Sequence, residues 1–312
     1  MKVLARRVAL AACVVVFVAE VRGQSDGGAA EPVTTTAAPL PDAVDQPGTP
    51  FPSEDETRAC RWLDVRIEQR RRQELFPHVF TLAEKEARPQ VQWRLAQAIM
   101  GYYEFHREAP DKEKLRGYTA AERLMRDCQA RKGPPHCEFF LGAAIGRQAT
   151  VKGVMSSLRA LRPIEGVWLT GLERSKNRPD LLLDGSPIES YFYYALGALY
   201  RILPDWWIIK VITGVRGDLD KSISMLRKAV AMRPDTATWL ELGVALTCSG
   251  HKRDNPAHLS EGKKILQDVI GMPRKAEYDA VDQQAARHIL EHPRSACGYS
   301  RDKMQDVESQ PR

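Results

Sequence analysis

Among the residues able to do chemistry, the six cysteines carry the most information. Cys13 lies in an N-terminal apolar run, which leaves Cys60, Cys128, Cys137, Cys248 and Cys297. In an exported chain thiols meet an oxidising environment, so pairing is the chemistry expected of them. Cys128 and Cys137 flank a turn through Gly133-Pro134-Pro135, one ending a helix and the other opening the next. Cys248 and Cys297 fall at the end of one helix and just after the last, where a bridge would staple the C-terminal cap to the rest. Cys60 is then the odd one, either unpaired or a cross-link to another chain.

The other reactive types offer less. His288 and His292 are four apart and share a helix face, with Cys297 nearby, which permits a metal site on paper. No Glu stands beside them in a zinc-protease pattern, and cations suit the end of a helix anyway, so no metal is expected. No serine sits in a nucleophile elbow and no glycine-rich phosphate loop precedes a helix. Asp218 and Asp220 are better read as helix-start residues than as an acid–base pair. The chain is therefore expected to be no enzyme and to hold no cofactor. Its distinctive feature is Trp206-Trp207-Ile208-Ile209-Lys210-Val211-Ile212. This insert is either extra core or an exposed apolar loop that lines a ligand pocket, touches a membrane or docks a partner.

The elements that position these residues are helices. Tyr193, Leu196, Gly197 and Tyr200 recur at i, i+3, i+4 and i+7, with a small residue where a neighbour must come close. Gly217-Asp218 then starts a second helix carrying Ser222, Leu226 and Ala229, and Pro234 stops it. Trp239, Leu242, Gly243 and Leu246 repeat the first stripe, while Gly262, Leu266 and Val269 repeat the second before Pro273. Weaker copies lie upstream. One has Trp93, Ala96 and Met100 followed by Ala120, Leu124 and Asp127; the next has Leu141, Gly142 and Ile145, a separate helix from Val151 to Arg162, and a looser second helix from Ile164 to Ser175 with Trp168 and Leu172. The fold class is all-α, an array of antiparallel helix hairpins closed by a capping helix.

Composition agrees with a folded domain, at 43% apolar and 28% charged residues over 312 positions. A net charge of +6 is mild, and the basic run Arg66 to Arg72 is read as a solvated face, or as a docking surface for an acidic partner or an anionic lipid head group, not as a nucleic-acid site. Lys2, Arg6 and Arg7 before the apolar run Val8 to Ala19 read as an export signal over 1–23. Leu10-Ala11-Ala12-Cys13 looks like a lipoprotein box, but too few apolar residues precede Cys13 for it to be the preferred reading. Residues 24–56, rich in Pro, Thr and Ala, read as a disordered linker. A charged helical segment (57–90), the repeats (91–273), a cap (274–299) and a flexible tail (300–312) follow. In the cap, Tyr278, Val281, Ala285, Ile289 and Leu290 are expected on the apolar side.

The Leu-Gly-aromatic order and closing Pro resemble a divergent tetratricopeptide repeat. The long units and the Leu203-Pro204 and Gly217-Asp218 pairs around the insert are similar to the T component of periplasmic TRAP transporters. Similar spacing around a Leu-Gly-aromatic helix occurs in the regulators of microtubule dynamics. Repeats of this kind imply a non-enzymatic scaffold for a protein partner in the cell envelope, periplasmic or secreted. Its groove would use first-helix positions that look away from the core: Tyr194, Arg201, Glu138 and Arg147. The T-component likeness implies instead an accessory in which Tyr191 to Tyr194, Trp206 and Trp207 enclose a hydrophobic solute or meet a solute-binding protein.

Overall fold

The computed structural model describes residues 45, 46, 48–68, 72–106, 108–205, 210, 211, 213–276 and 278–300. The export signal with Cys13, most of the expected linker, Trp206, Trp207 and the last twelve residues lie outside them. The helices are α1 (Glu56–Glu68), α2 (Arg72–Lys85), α3 (Pro89–Phe105), α4 (Asp111–Ala130), α5 (His136–Lys152) and α6 (Val154–Ser175). A two-stranded hairpin, β1 (Leu182–Leu183) and β2 (Ser186–Pro187), leads into α7 (Ile188–Ile202). Then come α8 (Leu219–Met232), α9 (Thr236–Lys252), α10 (Pro256–Gly271), α11 (Asp279–Glu291) and a closing 3-10 turn (Pro293–Gly298).

The helices pack as consecutive pairs, α3 with α4, α5 with α6, α7 with α8 and α9 with α10. Each second helix also packs on the first helix of the next pair, and successive first helices touch. The glycines explain how closely the partners approach. A Cβ on Gly142 would run into the Trp168 indole nitrogen, one on Gly197 would lie 2.7 Å from Leu226, and one on Gly243 3.0 Å from Leu266. In three successive pairs the same first-helix position thus receives a large side chain of the second helix. The last two second helices, α8 and α10, start on side-chain caps: Asp218 accepts from the Lys221 amide, and Asn255 accepts from that of His258.

Four expectations need correction. The stretch expected to split near Pro163 is one continuous helix, α6, because Pro163 faces solvent and water can serve the carbonyl its missing N–H leaves unpaired. The end of the expected linker is seated: Phe51 meets the Trp62 ring edge-on at 5.5 Å, and the Trp62 indole donates to Thr49 O at 2.8 Å. Arg66 is buried rather than solvated, its guanidinium 3.9 Å from the centre of the Trp62 ring. In α11 Ile289 is buried and Ala285 and Leu290 pack against the core as expected, but Val281 is exposed and the buried face also carries Asp279, Asp282, Gln283 and Ala286. Asp279 turns inward because its carboxylate accepts the backbone amides of Lys275 and Ala276, and Gln283 because it donates to Met272 O.

Candidate interaction surface

The first-helix residues expected to look outward do not: Tyr194, Arg201, Glu138 and Arg147 are all buried, and so is Tyr191, named for the solute-enclosing reading. Part of the cause is that the chain lays its own segments across the first helices. The hairpin reaches α3 and α5, where Gln97 donates to Asp184 at 3.2 Å and His136 Nε2 donates to Leu182 O at 2.8 Å. The closing 3-10 turn packs on α9 and reaches α7.

Each buried polar group has its own arrangement. Arg233, at the end of α8, stacks over Tyr191 at 4.0 Å and Tyr194 at 5.0 Å and pairs with Asp235 at 3.1 Å. Burial works against its charge, but Asp235 and Tyr191 outweigh that and raise its pKa. Burial raises the Tyr191 phenol well above its ordinary value, so the ring is a neutral platform for the cation. Arg201 of α7 donates to Glu241 of α9 at 3.0 Å and to Tyr299 O at 2.9 Å. Glu138 pairs with Arg174, which also donates to Gly133 O at 2.5 Å beside the first disulfide. His136 stacks on Trp93 at 4.3 Å; burial above all, with Arg94 nearby, takes its imidazole down to about 4 against the pull of the Leu182 carbonyl. These groups are placed to hold elements together. They do not converge on an open cleft.

The cysteines do converge. The sulfurs of Cys128 and Cys137 are 1.99 Å apart and those of Cys248 and Cys297 are 2.16 Å apart, and Cys60 is free. Burial pushes the Cys60 thiol up to about 11, which keeps it protonated and poorly nucleophilic at neutral pH. His288 and His292 are neighbours with ring centres 4.9 Å apart, and among the described residues no group of three metal-binding side chains assembles.

Two features were not anticipated. Tyr200 donates to Glu165 at 2.6 Å and receives Lys221 at 2.5 Å, a chain joining α6, α7 and α8. Burial and Glu165 raise the Tyr200 phenol, so it acts as a donor and cannot serve as a base. The second is an open cleft of about 270 Å³ between α8 and α10, lined by Asp220, Ile223, Ser224, Arg227 and His258. Its rim is closed by Arg227–Glu261 at 2.8 Å and Arg253–Asp220 at 2.5 Å, so the opposite charges neutralise one another. The polar i, i+4, i+7 stripe Asp220, Ser224, Arg227 was the signal in the sequence, but any solvated helix face shows one.

The insert is held at its neck. Gly217 N donates to Pro204 O and Asp218 N to Tyr200 O, both at 2.9 Å. A Cβ on Gly217 would run into the Leu203 carbonyl oxygen and lie 2.8 Å from its carbon, so only glycine closes this neck. Within the loop Val211 is 72% exposed, whereas Val215 is buried. Among the described residues no helix is long and apolar enough to cross a membrane. No protein-family model matches the chain, and no curated protein matches it either.

Proposed function

We propose that this chain is an exported, non-enzymatic module of tetratricopeptide-like repeats that binds another protein in the cell envelope. The supporting observation is what the first helices already hold: two short segments of the chain, the β-hairpin and the closing 3-10 turn, gripped through main-chain carbonyls by His136 and Arg201. Such a face suits polypeptide, because side-chain donors aimed at carbonyls recognise backbone from any sequence. Two disulfides fit an oxidising compartment. The charged groups buried under the first helices are paired with one another, which favours a binding role over catalysis. The test is capture from the native envelope fraction by the mature chain, with identification by mass spectrometry. A single stoichiometric protein partner is expected; capture of small molecules alone would refute the scaffold.

The T-component-like accessory is the second reading. It is favoured by Val211, exposed on an insert that is apolar apart from Lys210. A chain carrying Trp206→Ser and Trp207→Ser, still folded by circular dichroism, separates the two. Retained protein capture supports the scaffold, and loss of a transporter component or of co-purifying lipid supports the accessory.

A further inference from the structure

The closing turn is the chain segment most thoroughly fastened to the first helices. It packs on α9, α11 and α7, and Ala296 at its centre is fully buried. Arg201, whose side chain is itself fully buried, donates to the carbonyl of Tyr299 and lies 5.6 Å from the centre of that ring. The Cys248–Cys297 bond ties the segment to α9. The two disulfides differ in access. Cys128 and Cys137 are both fully buried, and so is Cys248 to within 1%, but Cys297 is partly exposed.

We propose that residues 293–300 are a disulfide-locked internal ligand, and that the face beneath them is a docking site for a short 3-10-turned segment of another protein, opened by thiol–disulfide exchange. This builds on the reading of the first-helix face as a binding face and adds what it recognises. The segment itself gives the pattern: a small residue, Ala296, in the buried pocket, and an aromatic three residues later, Tyr299, beside the Arg201 guanidinium. Because Arg201 is already neutralised by Glu241, the ligand offers it a carbonyl rather than a carboxylate. Opening needs a dithiol reductant. One thiolate attacks Sγ of Cys297, the more exposed of the two residues; the Cys248–Cys297 bond breaks and Cys248 leaves as a thiolate that takes a proton. The reductant's second thiol then displaces Cys297 from the mixed disulfide, leaving two cysteine thiols and an oxidised reductant.

The test uses the full chain, oxidised, partly reduced with dithiothreitol, and as the Cys297→Ser variant. Mass-spectrometric thiol labelling should find Cys248 and Cys297 reduced at least tenfold faster than Cys128 and Cys137. Hydrogen exchange of 293–300 should rise at least tenfold once the bond is cut. A fluorescent peptide of residues 293–300 carrying Cys297→Ser should bind the reduced chain and the variant at least tenfold more tightly than the oxidised chain. Adding Arg201→Lys to the variant should weaken that binding about fivefold with the helical spectrum unchanged. Equal reduction rates, or protection of 293–300 that survives cleavage, would overturn the latch. Peptide binding that ignores the redox state would overturn the docking site, and a concentration-dependent dimer on reduction would assign the face to a second copy's tail instead. Since none of these measurements uses an envelope partner, failure of capture from the envelope would sink the scaffold and leave the latch standing.

Discussion

At the scale of single residues, the glycines and one histidine are the most constrained. Gly217→Ala should cost about 3 kcal/mol by forcing a methyl into the Leu203 carbonyl, read as a lower urea midpoint. Gly166→Ala makes the opposite case, since a Cβ there meets nothing within 4 Å in the middle of α6. It should gain roughly 0.5–1 kcal/mol. His136 carries a pH dependence. Its folded pKa of about 4 lies below the ordinary 6.5, so between these values the unfolded chain binds the extra proton. Its contribution is full above pH 6.5, declines as pH falls to 4, and amounts to about 3 kcal/mol. His136→Gln keeps a donor for Leu182 O but does not titrate; its urea midpoint should therefore fall less between pH 7 and pH 4.5. The glycines were legible because spacing encodes them. His136 was not, because its burial depends on Trp93 and Leu182, 43 positions before it and 46 after it.

At the scale of elements, hydrophobic spacing located the hairpins of α7 to α10, and Asp218 was legible as the start of α8. Spacing failed where polar groups decide orientation. Pro163 looked like a break, yet its place on the solvent side of α6 lets the helix continue. In α11 the inward face was set by Asp279 and Gln283 bonding to the preceding loop, which no hydrophobic pattern records. The outward-looking assignment of Arg201 failed for the same reason: a charged side chain reads as exposed until its partner is seen. The pair with Glu241 yields a prediction. Arg201→Met alone strands a buried carboxylate and should cost roughly 3–5 kcal/mol. Arg201→Met with Glu241→Met should recover most of that, since both charges leave together; a double-mutant cycle in urea measures it.

At the scale of the whole molecule, stability is a sum of neighbouring interfaces, with two covalent ties across it. The ties span 9 and 49 residues. On loop entropy, Cys128→Ser with Cys137→Ser should lose about 2.5 kcal/mol, and Cys248→Ser with Cys297→Ser about 4 kcal/mol. Calorimetry of the two double variants under oxidising conditions checks the order. The pairing was legible from the cysteines' places at helix ends. The chain's covering of its own first helices was not, because neither the hairpin nor the turn has a repeat-like pattern. The neck at Leu203, Pro204 and Gly217 carries one more consequence. Because Gly217 N and Asp218 N bond back to Pro204 O and Tyr200 O, the spacing of α7 and α8 is set at this neck rather than by the number of residues between its two ends. Lengthening the loop between them costs only loop-closure entropy, about 0.6 kcal/mol per doubling. That makes it a natural graft point, where a reporter domain or an epitope can be spliced in mid-chain without shifting the helices on either side.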